Sequence, residues 1–283
     1  MSTTVDVCIY AVGGGLGHAV RGSTVQLHLS KAGATSVLIV REGIASEHLP
    51  PVSELSKQLH RIVYSDGSAT VLSEITAQTL VIDTFADGWK DELTLAVLQR
   101  FRKVVFLARF QRDAVLPRRM NMLIPYASRC CEWGEISFPG THVGFLLRSD
   151  MLSLRVEGND LLVVDPYRRT TERFISACQG IAARRGCSFR LVHDFKRELR
   201  GRRFLFIGAG YNTFYEALMT SAPLRFMPLK KRYDNQSRRV EMWNLAVRSP
   251  LELDDWLASD EKIAVNEPRL MPEDLCNDLG AYL

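Results

Sequence analysis

An apolar stretch that runs into a glycine turn and then into a helix constrains the fold of this chain most strongly. Phe204 to Ile207 is typical of a buried strand, Gly208 and Gly210 bracket the turn, and a helical pattern begins at Thr213. Glycine lacks a Cβ atom, so the turn lets a ligand touch the backbone. The first N–H groups of a helix have no intrahelical partner and bind phosphate well. The segment therefore predicts a strand–turn–helix unit with an anion site.

The same order of strand and helix recurs along all 283 residues. Short β-rich runs alternate with amphipathic stretches of helical length, which indicates parallel sheets with crossover helices. The pattern weakens between Arg148 and Asn159 and then restarts. We therefore predict an α/β fold with two Rossmann-like domains that face each other across a cleft, residues 1–150 forming the first and residues 151–283 the second. The predicted strands are Asp6–Val12, Thr35–Val40, Arg61–Tyr64, Thr79–Thr84, Lys103–Ala108, Met122–Pro125, Leu161–Asp165, Ser188–His193, Arg203–Ile207 and Leu224–Pro228, and the predicted helices are His18–Ala32, Ala69–Thr76, Lys90–Arg100, Thr171–Arg185, Thr213–Thr220 and Ser237–Val247.

Composition constrains the expected location of the protein more than it constrains its function. No apolar run approaches the roughly 20 residues that span a bilayer, and the polar start from Met1 to Asp6 is unlike a signal peptide. The six cysteines show no metal-type spacing, so we expect a cytoplasmic protein without a bound metal. A net charge of +4 is too small to indicate nucleic acid as a partner.

A second glycine turn, Gly13-Gly14-Gly15-Leu16-Gly17-His18, follows the first strand. A dinucleotide fingerprint needs glycines at the first, third and sixth positions, and this turn fails in both registers, which disfavours a nicotinamide oxidoreductase. The positive end of the helix dipole disfavours a charged imidazole at His18. A neutral imidazole in a cleft can act as a general base on a hydroxyl. Alternatively, His18 only helps to cap the helix.

Polar residues after the strands of the second half suit the hydroxyls of a nucleotide-sugar. Glu216 and the triplet Asp234-Asn235-Gln236 can bond such hydroxyls, while Asn212 and Thr213 lie at the helix start. Each has a structural alternative. Thr213-x-x-Glu216 also fits a capping box, Asn212 fits a turn, and the triplet can cap a helix that begins near Ser237.

Charged residues near these segments carry alternatives of the same kind. The basic residues around the triplet form a solvated face, stabilise a leaving diphosphate, or dock on anionic lipid: Lys230, Lys231, Arg232, Arg238 and Arg239. Asp83, at the end of an apolar strand, either serves acceptor chemistry or binds a turn N–H. Arg21 either faces the cleft or forms a surface ion pair.

Four segments, in the same order along most of the chain, resemble glycosyltransferases of the two-domain B-type fold. Gly15-Leu16-Gly17-His18-Ala19-Val20-Arg21 resembles their GxGHxxR opening, with the glycine turn and histidine of MurG-type enzymes. The stretch from Val81 to Gly88, with Glu92-Leu93, is similar to a DTFxxG…EL segment of bacterial and archaeal members. The stretch from Gly208 to Ala217 resembles their donor-binding turn, and Asp234-Asn235-Gln236 resembles the D/EQ pair that holds the donor sugar.

The resemblance implies an inverting sugar transfer from a nucleoside diphosphate-sugar, with a UDP-sugar as the expected donor and without a cofactor or metal. It implies that His18 removes the acceptor proton or orients it. Asp83, at the end of its strand, is the second catalytic candidate in the same cleft. The donor would be held by the residues that match the family's turns: Gly15, Gly17, Gly208, Gly210, Asn212, Thr213, Glu216, Asp234, Asn235 and Gln236. The acceptor would be a small molecule or a lipid-linked one, the latter with peripheral contact to the inner membrane face.

Two further functions stay open at this point. The UDP-sugar hydrolases of pseudaminic acid synthesis share the GxGHxxR start, and in such an enzyme water would replace the acceptor hydroxyl. A non-catalytic nucleotide-binding protein could keep both turns for stability alone. The chain also departs from the family: Asp165-Pro166-Tyr167-Arg168-Arg169 stands where relatives have a glycine-rich loop, and a cationic grip would replace a backbone one. The acidic segment after Pro250 shows no clear closing helix.

Overall fold

The chain divides into two compact units, each built on its own parallel sheet. The computed structural model describes residues 3–44, 60–83, 85, 87–108, 126–130, 141–142, 152–193, 198–231 and 234–259. Described residues up to 142 belong to the first unit and those from 152 onward to the second. The boundary predicted at residue 150 lies outside the described residues.

The first unit alternates strands with helices in the way that its apolar pattern predicts. Its strands are β1 (Thr3–Ala11), β2 (Ser36–Arg41), β3 (His60–Ser65), β4 (Ile75–Asp83), β5 (Lys103–Ala108), β6 (Tyr126–Cys130) and β7 (Thr141–His142), and its helices are α1 (Leu16–Lys31), α2 (Thr70–Ser73) and α3 (Leu95–Leu98). All of these strands pair in parallel, in the order β3-β2-β1-β4-β5-β6-β7. Alternate apolar residues of the central strands pack with Leu72 and Leu98 into one core, because successive side chains of a strand point to opposite faces.

The second unit carries a smaller sheet with helices packed against it. Its strands are β8 (Ser153–Val164), β9 (Ser188–Val192), β10 (Glu198–Ile207) and β11 (Leu224–Met227), and its helices are α4 (Glu172–Arg184), α5 (Tyr211–Leu218), α6 (Gln236–Met242) and α7 (Pro250–Ala258). These strands are also parallel, in the order β11-β10-β8-β9. One face of β8 and β10 packs with α4 and α7 into a core that includes Cys178, Ile181, Leu253 and Trp256.

Two helices predicted in the first unit are wrong in extent. The helix predicted at Ala69–Thr76 is the single turn α2, and β4 already begins at Ile75. The helix predicted at Lys90–Arg100 is reduced to α3, because Thr94 caps a helix that begins only at Leu95. Before that cap, Glu92 accepts hydrogen bonds from the backbone N–H groups of Trp89 and Lys90, which holds a turn. The strand predicted at Met122–Pro125 lies outside the described residues.

The second unit contains more regular structure than its sequence pattern indicates. The strand predicted after the polar stretch starts only at Leu161, but β8 begins at Ser153 and pairs with the early part of β10. The segment after Pro250 was predicted to be irregular, yet it forms α7, whose start is capped by Ser249 with proline at the first helical position. Leu253, Trp256 and Leu257 of α7 face the core, while Asp254 pairs with Arg185 at the end of α4. Among the described residues, no helix has the length and apolar content that crossing a membrane requires.

Candidate functional site

The first candidate site lies where the strand order of the first sheet reverses. The chain proceeds from β1 to β2 and β3 on one side and then returns to place β4 on the other side of β1. In open parallel sheets, ligands bind outside the carboxyl ends of the strands at such a switch point. The turn after β1 leads to His18, and Asp83 is the last residue of β4.

His18 and Asp83 are joined by a short hydrogen bond across this switch point. Nδ1 of His18 lies 2.6 Å from Oδ2 of Asp83, and both side chains are buried. The carboxylate can only accept, so it favours the tautomer in which Nδ1 carries the proton and Nε2 is the basic nitrogen. The alternatives in which His18 caps α1 and Asp83 binds a turn N–H are not what the structure shows.

Arg21 completes the contact by binding both oxygens of the same carboxylate. Its Nε donates to Oδ1 of Asp83 at 2.8 Å and its Nη2 to Oδ2 at 2.7 Å. The alternative of a surface ion pair for Arg21 is wrong, since Arg21 and Asp83 are each only 1% exposed. Burial by itself raises the pKa of the Asp83 carboxyl, but Arg21 and then His18 outweigh it and hold that pKa well below its usual value. Asp83 is therefore an anion at any pH near neutrality.

Aromatic rings and a glycine fix the plane of the imidazole. The ring of Phe85 stacks on His18 with centroids 5.1 Å apart, and Trp89 meets Phe85 edge-on at 5.5 Å. A methyl group on Gly13 would overlap Cδ2 and Nε2 of His18. Only glycine at position 13 therefore leaves room for the basic edge of the ring. Gly15 is exposed, with open space around it, and Gly17 lies in the first turn of α1.

The second candidate site lies at the switch point of the smaller sheet, between β8 and β10. Gly208 follows β10 with a φ of +93°, a conformation that favours glycine. A methyl group on Gly208 would lie 3.3 Å from Cε2 of Tyr167, in the loop after β8, and 3.2 Å from Cδ1 of Leu229. The loops after the two strands thus pack directly against each other.

The loop after β8 is held by a buried carboxylate. Oδ2 of Asp165 accepts hydrogen bonds from the backbone N–H and the hydroxyl of Thr170, at 2.8 and 2.7 Å. Burial raises the pKa of Asp165, but the bonds from Thr170 outweigh it and lower that pKa. Nδ1 of His193, at the end of β9, donates to the backbone carbonyl of Asp165 at 2.9 Å. These bonds keep Tyr167 beside the glycine turn.

Helix α5 begins earlier than predicted, at Tyr211, and Gly210 is its N-cap. Thr213 is therefore inside the helix, and the capping-box alternative for Thr213 and Glu216 is wrong. Glu216 is only 2% exposed, and its Oε2 accepts from the backbone N–H of Leu152 at 3.1 Å. Asn212 lies in the first turn, where its buried Oδ1 has no hydrogen-bond partner among the described residues.

Gln236 joins the two loops that follow β10 and β11. Its Oε1 accepts from the backbone N–H groups of Ala209 and Leu229, at 2.8 and 2.9 Å. Its Nε2 donates to Oδ2 of Asp234 at 3.2 Å. Gln236 is 3% exposed, so its carboxamide already organises the turn from which Gly208 and Gly210 come.

Asn235, rather than Asp234, caps the helix that follows the triplet. Its Oδ1 accepts from the backbone N–H of Arg238 at the start of α6. Asp234 instead accepts from Nη2 of Arg239 at 2.9 Å, and Nη1 of Arg239 donates to the carbonyl of Ala209 at 2.7 Å. Arg239 is fully buried, so the alternative of a solvated basic face is wrong for this residue.

Lys231 also has a contact beside the glycine turn. Its Nζ lies 4.5 Å from the centroid of the Tyr167 ring, a cation–π contact. Lys230 is exposed, and Arg232 lies outside the described residues. Sequence reasoning missed Tyr167 as the partner of both Gly208 and Lys231, since no local pattern pairs residues on different strands.

Comparison with solved structures identifies the fold. No family model matches the sequence, and no curated protein matches it. The calicheamicin glycosyltransferase CalG4 superposes with a TM-score of 0.61 at 13% identity, covering 99% of this chain and 98% of that chain. Arabidopsis thaliana UGT89C1 in complex with quercetin gives a TM-score of 0.66 at 12% identity, covering 98% and 99%. Phytolacca americana UGT2, with UDP-2fluoro-glucose and pterostilbene, gives 0.61 at 9% identity, covering 98% and 99%.

The chain has the fold of these glycosyltransferases. The predicted α/β class with two Rossmann-like domains is confirmed by its two parallel sheets and by these neighbours. A MurG-type relationship and the roles of the predicted site residues stay predictions. Among the described residues, no cluster of three or more His, Cys, Asp or Glu side chains could hold a metal ion.

Proposed function

We propose that the protein is an inverting glycosyltransferase that moves a sugar from a nucleoside diphosphate-sugar, with UDP as the expected nucleotide, to an acceptor hydroxyl. The observation that carries the proposal is the 2.6 Å hydrogen bond between Nδ1 of His18 and buried Asp83, at the switch point of the first sheet. This arrangement makes Nε2 of His18 a base of fixed orientation. Its occurrence in a chain with a glycosyltransferase fold supports sugar transfer as the reaction.

The chemical step needs one proton transfer and one substitution. Nε2 of His18 takes the proton of the acceptor hydroxyl while the acceptor oxygen forms a bond to the anomeric carbon. The bond from that carbon to the diphosphate oxygen breaks, and the diphosphate leaves with the electron pair. Attack from the face opposite the leaving group inverts the anomeric configuration. Asp83 stabilises the imidazolium that forms, as an anion hydrogen-bonded to Nδ1.

The second unit would hold the donor, as a strand–turn–helix unit does for other phosphates. We assign the diphosphate to the N–H groups at the start of α5 and to the side-chain Nδ2 donor of Asn212, with Thr213 beside them. We assign Lys231 to the charge that develops on the departing diphosphate, since Tyr167 keeps its ammonium group beside the turn.

The existing hydrogen bonds of Asp234 and Glu216 determine how each could bind donor hydroxyls. Asp234 would bind sugar hydroxyls, with its orientation fixed by Arg239 and Gln236. Glu216 is the candidate ligand of the ribose hydroxyls. It would have to bind them while its Oε2 also accepts a hydrogen bond from the backbone N–H of Leu152. Small hydroxylated molecules are the proposed acceptors, because some neighbours were crystallised with quercetin or pterostilbene.

Product analysis tests the proposal. Purified protein is incubated with a panel of UDP-sugars, with and without a panel of phenolic, sugar and lipid-linked acceptors. Products are followed by mass spectrometry, and ¹H NMR gives their anomeric configuration. We expect UDP release that depends on an acceptor, and a glycosylated acceptor of inverted configuration. Free sugar released at the same rate with and without acceptor would instead identify a hydrolase. UDP binding without turnover of any donor would identify a binding protein.

A further inference from the structure

Arg21 makes two hydrogen bonds to Asp83, where a simple ion pair needs only one. It uses two nitrogens and contacts both carboxylate oxygens, one of which also accepts from His18. The three side chains come from α1 and β4 and are almost completely removed from water. Charge interactions between buried groups are screened much less than those at a surface.

The net charge of this cluster depends on the protonation of His18. With a neutral imidazole, Asp83 and Arg21 cancel and the buried cluster has no net charge. With an imidazolium, the cluster carries one positive charge, and Nη2 of Arg21 lies 3.5 Å from Nδ1 of His18. Without Arg21 the opposite would hold, since imidazolium and carboxylate would cancel.

Among the described residues, charged side chains that contact His18 include Asp83 from β4 and Arg21 from its own helix. The start of α1 adds the positive end of the helix dipole, which acts in the same direction as Arg21. Phe85, which stacks on the His18 ring from the segment after β4, and Trp89, which packs against Phe85, carry no charge. Glu92 from that segment is committed to the backbone of Trp89 and Lys90.

We propose that Arg21 is a positioning residue that holds the Asp83 carboxylate and cancels its charge, and so keeps His18 neutral and ready to accept a proton. The inference rests on the proposed function for its catalytic meaning. The effect of Arg21 on the protonation of His18 is argued only from residues of the first unit. In that role Arg21 does not touch the substrate, and it acts only through Asp83 and His18.

The test is a direct titration of the His18 imidazole by NMR in the full chain, labelled with ¹⁵N-histidine. His18→Gln identifies the signal, and the other five of the six histidines serve as internal controls. We compare the wild-type protein with Arg21→Met, Arg21→Lys and Asp83→Asn. Circular dichroism and thermal melting show which variants are folded at each pH.

Arg21→Met and Asp83→Asn should shift the titration midpoint of His18 in opposite directions. Arg21→Met leaves an uncompensated carboxylate beside the ring, so the titration midpoint of His18 should rise by about one pH unit or more. Asp83→Asn leaves an uncompensated guanidinium, so the midpoint should fall. Arg21→Lys keeps the charge without the two-pronged contact, and its midpoint should stay nearer to that of the wild type. If Arg21→Met does not fold, the other two variants still provide a test. The His18 midpoint of Asp83→Asn should then lie below those of Arg21→Lys and the wild type.

The pH dependence of turnover gives a second measurement. A neutral imidazole is the active form, so in Arg21→Met the acid side of the kcat/KM profile should move to higher pH, and the activity lost at pH 6 should exceed that lost at pH 8.5. Equal His18 midpoints in folded wild-type, Arg21→Met and Asp83→Asn proteins would overturn the inference. Absence of sugar transfer in the wild type would overturn the proposed function, and the NMR titration would still decide the role of Arg21.

Discussion

The ring of Tyr167 packs against Gly208 so closely that a methyl group on the glycine would lie 3.3 Å from Cε2 of the ring. The two residues follow neighbouring strands at the switch point of the smaller sheet, which is where a ligand of a parallel sheet is expected. Their contact brings the aromatic loop, the glycine turn and Lys231 into one small region. It also makes the region sensitive to single substitutions.

Gly208→Ala should weaken the binding of UDP. The substitution places a side chain at a φ of +93°, at a cost of about 1 kcal/mol or more, and it forces Tyr167 and Leu229 away from the turn. Gly158→Ala is a matched control, because Gly158 also has a positive φ but has open space around it. Titration calorimetry should show UDP affinity reduced about tenfold or more in the first variant alone. Equal affinities in both variants would show that the contact with Tyr167 does not shape the site.

Lys231→Gln should lower kcat, because the departing diphosphate would lose a nearby cation. We expect a loss on the order of 100-fold in donor turnover, with little change in melting temperature since the residue is only half-buried. Lys230→Gln removes the same charge from the exposed neighbouring position and should stay near the wild-type rate. Steady-state kinetics on the two variants decides between a specific role for Lys231 and a general effect of positive charge.

His18→Ala should abolish acceptor-dependent turnover while leaving UDP binding intact. Loss of a general base lowers kcat about 100-fold or more. His28→Ala provides the control, since His28 lies in the last turn of the same helix. A wild-type rate in folded His18→Ala would remove His18 from the mechanism.

Asp83→Asn should destabilise the first unit in a pH-dependent way. The folded pKa of Asp83 is depressed, so its stabilisation is fully present above the unfolded value of about 4 and is lost as the pH falls towards the lower folded value. We expect a loss on the order of 3 kcal/mol at pH 7, because Arg21 is left buried without its anion. The difference in melting temperature between wild type and variant should narrow below pH 4. A difference that stays constant down to pH 3 would argue against a charged Asp83 as its source.

Arg239→Met should destabilise the second unit, since Arg239 is fully buried and bonded to Asp234 and to the carbonyl of Ala209. A loss of about 3–5 kcal/mol is expected when one partner of a buried pair is removed. Arg238→Met, at the partly exposed neighbouring position, should cost less than about 1 kcal/mol. Chemical denaturation followed by tryptophan fluorescence measures both. Equal stability of the two variants would mean that the buried contacts of Arg239 contribute little.

The sequence predicted most of the described strands and both glycine turns because those features are local, but it did not predict β6 or β7. Apolar runs such as Leu161–Asp165 end at turns, and the backbone must bend at Gly13 and Gly208 whatever lies around them. The short helices α2 and α3 could not be predicted in the same way. Their sequences have helical periodicity, but turn bonds such as those of Glu92 replace the helix locally.

Contacts between residues that are distant in sequence could not be predicted from local patterns, with one exception. Nothing near Arg21 indicates that its partner is Asp83, 62 residues away. For Arg239 a signal existed: Gln236, Arg239 and Val240 share one face of α6 at helical spacing, and all three are buried. That spacing could have separated Arg239 from the exposed basic residues around it.

The shared carboxylate of Asp83 has a consequence for how this protein can change over evolutionary time. A neutral replacement at position 21 or 83 alone strands a charged group away from water, and at position 83 it also removes the carboxylate that orients the side chain at position 18. Viable lineages must therefore exchange these positions together or keep all three. In a deep family alignment the columns for 18, 21 and 83 should covary, while the exposed columns beside them drift independently.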